Sequence, residues 1–306
     1  MLDITRLRVL VAVAQHGSVT KAAQALHYAQ PSVSHHLARL EAETGARLVQ
    51  RVGRGIRLTE AGRTLAERAT EVFGRLDAAE HELQAITGLA AGRVRLAGFP
   101  SAFATVVPTA VTQFTAAYPG LELTLVEAEP PQALGMLRAG EVDVAMVFTH
   151  QPHPTAAADT DPDTDGLRTT ALFDEPLFLV LPPGSPRRRA GRLADHADDA
   201  WIAGCERCRA HLLQQCTAAG FTPRIAFSTD DYVTVQSLVA AGVGVSTLPA
   251  LALAAHRHPD VMLARLAGEV RHVLAATYGD PPDPPAVTAL LACLATATES
   301  AGDWSP

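Results

Sequence analysis

The 306-residue chain has no run of the roughly 20 uninterrupted apolar residues that a membrane-spanning helix needs, so a membrane protein is not expected. A secretory leader is missing from the reading as well, because Asp3, Arg6, Arg8 and His16 interrupt the apolar pattern of the first helix-like stretch. The expected location is therefore the cytoplasm. Cysteine is scarce at four residues, which leaves no disulfide framework to build a fold on. A basic excess is lacking too, since the net charge is −7. No G-x-S-x-G turn frames a nucleophilic serine, and no His/Asp pair is placed by motif beside Ser101, so an enzyme is not expected. A secreted solute-binding protein is disfavoured by the missing export signal and by the first sixty or so residues, for which it has no use.

What is present is unevenly spread. Residues 1–65 hold nine Lys or Arg and four Asp or Glu, a net +5, which leaves −12 for the rest of the chain. A basic head on an acidic body holds a polyanion at one end and repels it from the other. The 48% hydrophobic content and the length allow two domains or more.

The head reads as helices. Residues 3–16 form the first, with Leu7, Leu10, Val11 and Ala14 turned inward. Ser18 then caps a second helix carrying Val19, Ala22, Ala23 and Leu26 at helical spacing. Pro31 opens a third, where its absent N–H costs nothing, and Val33, Leu37 and Leu40 form its inward stripe. The opposite face carries Ser32, His35, His36 and Arg39, donors and acceptors suited to base edges in a major groove. Residues 46–59 follow as a hairpin turning at Gly53-Arg54-Gly55, a wing whose Arg51, Arg54 and Arg57 reach toward phosphates or a minor groove.

The run Ala22-Ala23, Leu26, Gln30-Pro31-Ser32-Val33-Ser34, Leu37 and Leu40-Glu41, continued by Gly45, Leu48, Arg51 and Leu58-Thr59-Glu60-Ala61-Gly62, resembles the helix-turn-helix of LysR-type transcriptional regulators. The resemblance extends in layout over nearly the whole chain. It implies an α/β protein made of an N-terminal winged helix-turn-helix (1–60), a linker dimerisation helix (61–90) and a two-lobed effector-binding domain (91–306) resembling type 2 periplasmic binding proteins. Lobe I is expected to span 91–165 and 270–300, and lobe II 166–269. It further implies double-stranded promoter DNA as partner, a homodimer through the linker helix, a homotetramer and a bent promoter. The expected DNA-contacting residues are Lys21, Gln30, Pro31, Ser32, Ser34, His35, Arg39, Arg51 and Arg54. One departure stands out: where the family usually has Ser or Thr before Gln-Pro, this chain has Ala29, so a side-chain cap and a phosphate contact are missing there.

From Thr59 to Thr87, Leu65, Ala69, Val72, Leu76, Ala79, Leu83 and Ile86 step by four and three, a seam that predicts pairing with a second copy. Gly88 and Ala91-Gly92 end that helix as a hinge. Beyond it, short β-like and helical runs alternate as two α/β lobes, with a Pro-, Thr-, Ala- and Asp-rich surface insertion at residues 151–165. Ligands of such lobes bind past the carboxyl ends of strands. The candidate effector contacts are therefore Pro100, Ser101, Ala102, Glu129, Phe148, Thr149, Ala203, Cys205, Thr229 and Asp230. Ser101 at a helix start favours an anion, while Glu129 and Asp230 favour a cationic or amino-bearing ligand. Cys205, Cys208 and Cys216 cluster around one helix with His211 between them. Three readings stay open: buried inert thiols, a thiol-redox switch of the kind peroxide-sensing relatives carry in a similar region, or a soft-metal site using Cys205, Cys208 and His211. No cofactor is expected.

Overall fold

A computed structural model describes residues 2–52, 55–86, 92–151, 166–185, 191–279 and 281–300. The expected turn at Gly53-Arg54, the hinge at Gly88 and Ala91, and most of the insertion at residues 151–165 lie outside the described residues. Two compact units emerge, one on Met1–Leu83 with Arg138–Glu141 and one on Gln84–Leu137 with Val142–Pro306. No described helix is long and apolar enough to cross a membrane.

The first unit contains α1 (Ile4–His16), α2 (Val19–Ala25), α3 (Gln30–Thr44), the antiparallel hairpin of β1 (Val49–Val52) and β2 (Gly55–Leu58), and α4 (Glu60–Ile86). Its limits follow from local chemistry. Asp3 and Ser18 accept hydrogen bonds from the N–H groups of Arg6 and Lys21, capping α1 and α2. Gly17 and Gly45 end α1 and α3 in the left-handed conformation at φ 60° and 65°, which glycine adopts without a Cβ penalty. Val9, Leu10, Val33, Leu40 and Leu48 fill the core. Ala14, expected inward, is exposed, because the core closes on Val9, Ala12 and Val13 instead. Two motif positions acquire reasons here. Glu41 accepts the N–H groups of Leu48 (2.9 Å) and Val49 (3.3 Å), tying α3 to the wing. A Cβ on Gly62 would lie 2.0 Å from the Leu48 carbonyl oxygen, so only glycine lets α4 approach the wing so closely.

The second unit is one eight-stranded sheet in the order β4-β3-β5-β10-β6-β9-β7-β8. Its strands are β3 (Arg93–Gly98), β4 (Glu122–Glu127), β5 (Val144–Thr149), β6 (Leu167–Leu181), β7 (Ala200–Ala203), β8 (Arg224–Ser228), β9 (Val245–Pro249) and β10 (Met262–Tyr278). β3 runs parallel to β4 and β5, and β7 parallel to β8 and β9, so each end of the sheet is an α/β lobe of the expected kind. The long antiparallel pair β6 and β10 joins the two. Both strands are longer than their apolar runs at 177–181 and 271–279 suggest. Helices α5 (Pro100–Phe103), α6 (Val106–Ala117), α7 (Pro130–Arg138) and α11 (Pro285–Ser300) accompany the first lobe. Helices α8 (Glu206–Ala218), α9 (Tyr232–Ala240) and α10 (Ala250–Ala255) accompany the second. The single helix expected over 101–117 is broken at Thr105, whose φ of −132° and ψ of −74° leave the helical region.

Candidate functional site

The first unit presents the outer face of α3. Gln30, Pro31, Ser32, Ser34, His35 and Arg39 are all exposed there, and Lys21 is exposed on α2. Val33, Leu37 and Leu40 face the core, which fixes the rotation of the helix. Two details were not visible beforehand. Gln30 Nε2 donates to Ser34 Oγ at 3.2 Å, so the first turn of α3 is held together by side chains that face outward. His36 is half-buried and stacks on Tyr28, with centroids 5.9 Å apart, which draws it away from the outer row. Ala29 supplies no side-chain cap. The side chain of Arg51 and the whole of Arg54 lie outside the described residues; Arg57 is exposed on β2.

On α4 the seam divides. Leu65, Ala69 and Phe73 pack into the head core, whereas Val72 (44% exposed), Leu76 (44%) and Leu83 (61%) are uncovered. The earlier part of the stripe is thus covered by the head core, and the later part is largely exposed.

In the second unit, the carboxyl ends of the strands enclose a cavity of about 50 Å³. Phe99, Pro100 and Ser101 follow β3, Glu129 follows β4, Phe148 closes β5, Gly204 and Cys205 follow β7, and Thr229 and Asp230 follow β8. Both lobes therefore contribute walls. A more open hollow of about 420 Å³ shares Glu129, Gly204, Cys205, Thr229 and Asp230 and forms the mouth. Ala102 and Ala203 do not line the cavity; both are fully buried in the cores. Thr149 lines a different hollow of about 460 Å³ beside α8, with His150, Arg207, His211 and Gln215.

The principal residues missed by sequence reasoning are Arg271 and Glu175, which are 3% and 0% exposed. Arg271 Nε donates to Glu175 Oε1 at 2.7 Å, Arg271 Nη2 donates to Ser101 Oγ at 3.2 Å, and the Leu251 N–H donates to Glu175 Oε2 at 2.7 Å. The guanidinium also lies over the rings of Phe148 and Phe99, at 4.4 and 4.8 Å. Burial pushes the Glu175 carboxyl up, while Arg271 and the Leu251 N–H pull it down. Ser101 lies in the first turn of α5. Its hydroxyl is engaged by Arg271, and α5 is only four residues long.

Cys205 Sγ lies 3.3 Å from Cys208 Sγ at the start of α8. The shared hydrogen bond, reinforced by burial, raises the Cys205 thiol, and the same bond lowers that of Cys208. Cys216 is buried in the second-lobe core, apart from this pair. The metal trio is not assembled: no group of three or more His, Cys, Asp or Glu among the described residues is arranged to hold an ion. His211 instead stacks on His150, with centroids 3.9 Å apart and planes 4° from parallel. Burial depresses both imidazoles, that of His150 to about 2.

Residues 4–63 match the model of the bacterial regulatory helix-turn-helix protein, lysR family, and residues 87–299 match the LysR substrate binding domain. The chain belongs to the LysR family. An uncharacterized HTH-type transcriptional regulator of Bacillus subtilis, YcgK, is 30% identical over 81% of this chain and 80% of its own length. The DNA-binding transcriptional dual regulator OxyR of Escherichia coli is 27% identical over 90% of this chain and 89% of its own. Among solved structures, a full-length OxyR variant from Pseudomonas aeruginosa superposes with a TM-score of 0.65 at 23% identity, covering 96% of this chain and 98% of that one. The LysR family regulator CbnR does so with a TM-score of 0.61 at 23% identity, covering 97% and 99%. This LysR-type chain is thus a DNA-binding transcriptional regulator with an effector-binding domain, and its partners are promoter DNA and a small molecule.

Proposed function

We propose that a small molecule seated in the cavity between the two lobes resets how a pair of reading heads sits on promoter DNA. Lys21, Gln30, Pro31, Ser32, Ser34, His35 and Arg39, with Arg51 and Arg54 of the wing, are the residues assigned to DNA. Pro100, Ser101, Glu129, Phe148, Cys205, Thr229 and Asp230 are assigned to the effector, joined by Arg271. Residues 1–60 read DNA, 61–90 pair two copies and 91–306 sense. The working assembly is a homotetramer in the cytoplasm, and the protein acts by binding rather than turnover. The observation that carries this reading is a cavity walled by both lobes at the strand ends, where a ligand bonded to Glu129 on one side and Thr229 on the other draws the lobes together. Footprinting of the chain's own upstream region tests it. Filling the cavity with Thr247→Trp is expected to fix one footprint and abolish its change with effector; a footprint unchanged in every state removes the coupling.

The 3.3 Å separation of Cys205 and Cys208 favours a second reading. Other relatives at 27% identity are named hydrogen peroxide-inducible genes activators. In this reading two thiols and one hydroperoxide yield a disulfide, an alcohol or water from the peroxide, and one further water. Titration of free thiols before and after peroxide, compared in Cys208→Ser, decides it: equal losses of thiol in both proteins speak against the pair.

A further inference from the structure

The charge of the cavity identifies the class of molecule it takes, granted that the cavity is the effector site. Arg271 is the single cation among its lining residues, and an anionic ligand would need that charge. It is already paired: Glu175 receives Arg271 Nε, Ser101 receives Nη2, and Phe148 and Phe99 cover its faces. With Arg271 paired to Glu175, Glu129 and Asp230 leave the wall net negative. At the mouth Glu206 and Arg207 cancel, and the Arg207 guanidinium is engaged on the Phe148 carbonyl at 2.9 Å.

Glu129 is the sharper of the two observations. Its Oε2 is shut off from solvent and has no hydrogen-bond partner among the described residues. A buried carboxylate oxygen without a donor has lost its hydration with nothing in return, a penalty that a bound donor relieves. Burial pushes this carboxyl up, against the opposing pull of a hydrogen bond with Cys205 and of the Arg271 charge. The neighbouring walls, Phe148, Tyr232, Val235 and Leu248, are apolar and suit a short hydrocarbon. The enclosed space of about 50 Å³ admits a small head, and the 420 Å³ mouth admits the remainder.

We propose that this regulator responds to a small organic cation, an aliphatic amine or guanidine whose N–H donors are received by Glu129 with Asp230 beside it. A carboxylate of the same length would meet two like charges and an arginine already paired with Glu175.

The test is calorimetric titration of the full-length protein with butylamine, agmatine, butanol and butyrate at fixed ionic strength. Butylamine or agmatine is expected to bind at least tenfold more tightly than butanol, with butyrate weakest. Glu129→Gln is expected to lose at least tenfold in amine affinity while folding normally, since the neutral amide is easier to bury. Glu129→Asp is expected to recover part of the loss, and Asp230→Asn to reduce affinity by a smaller factor. Butyrate binding as well as butylamine, unaltered amine affinity in Glu129→Gln, or no binding of either cation up to millimolar concentrations each overturns the proposal. The footprint of Thr247→Trp is independent of ligand charge, so an effector cavity that prefers anions remains distinguishable from a cavity that senses nothing.

Discussion

Breaking the Glu175–Arg271 pair tests whether the second unit is held together beside the cavity between its lobes. Glu175→Leu removes a carboxylate that is 0% exposed and strands an arginine that is 3% exposed, together with the Leu251 N–H that the same carboxylate receives at 2.7 Å. Removing one partner of a buried ion pair costs about 3–5 kcal/mol, because the surviving charge stays in a low-dielectric interior. The orphaned Leu251 N–H places this case toward the upper end of that range. For a unit of this size each kcal/mol lowers Tm by about 2–4 °C, so the expected fall is roughly 8–20 °C. The double variant Glu175→Leu/Arg271→Met removes both charges and leaves only the Leu251 N–H and Ser101 hydroxyl to be satisfied. It is therefore expected to be more stable than Glu175→Leu alone, with a coupling energy of about 2 kcal/mol or more. Urea unfolding followed by far-UV circular dichroism, on the wild type, both singles and the double, completes the cycle. Costs that simply add in the double would show that the two charges do not depend on each other, and the account of the cavity floor would fall with them.

On DNA, His35→Ala is expected to cost about 1–3 kcal/mol on the cognate site and to relax preference at one base position, whereas Arg57→Ala is expected to weaken cognate and random duplex alike and lower the salt slope by about one; fluorescence anisotropy at several salt concentrations separates the two. Leu76→Glu places a charge on the uncovered part of α4, where Leu76 is 44% exposed, and is expected to weaken self-association about tenfold or more in sedimentation velocity without lowering Tm. The stacked His150 must remain neutral in the fold, with its pKa depressed to about 2, so its contribution to stability is complete above the ordinary histidine pKa and is lost as pH falls below it. Between pH 6.5 and 5.5 the expected loss is about 1 kcal/mol, flattened in His150→Phe; a wild type as stable at pH 5.5 as at 7 contradicts it.

The head was legible because its determinants are local. Ser18 caps, Pro31 starts a helix, Gly45 ends one, and the apolar spacing of Val33, Leu37 and Leu40 sets which face is free. The long strands were not legible. In β6 the stretch from Leu167 to Asp174 has no apolar alternation, since its residues are held by pairing with β10 rather than by burying one face. The cavity was legible by place and not by content. Strand ends and helix starts located Ser101, Glu129, Cys205 and Asp230, yet the residue that decides their meaning, Arg271, lies 96 positions from its partner Glu175. A signal did exist: one glutamate and one arginine stand inside runs otherwise rich in Leu, Val, Phe and Ala, where a charge without a counter-charge would be untenable. The register that sets Arg271 opposite Glu175 is a property of the β6–β10 ladder, which no local pattern encodes.

That ladder also bears on the proposed sign of the ligand, through a side chain outside the lining. Burying the pair is of doubtful value for stability alone, since well-packed apolar residues do comparably well at such positions. What the pair does supply is placement. Glu175 grips the Leu251 N–H at the start of α10 in the second lobe, and through it Arg271 is pressed onto Phe99 and Phe148 in the first. The arginine thereby becomes a wall of the cavity and stops being a free charge in it. Converting Glu175 to Gln keeps an oxygen for one of these bonds and discards the negative charge, so the same arginine should begin to attract carboxylates. An inversion of preference, from butylamine in the wild type toward butyrate in Glu175→Gln, would follow from electrostatics alone, without any change in the residues that touch the ligand.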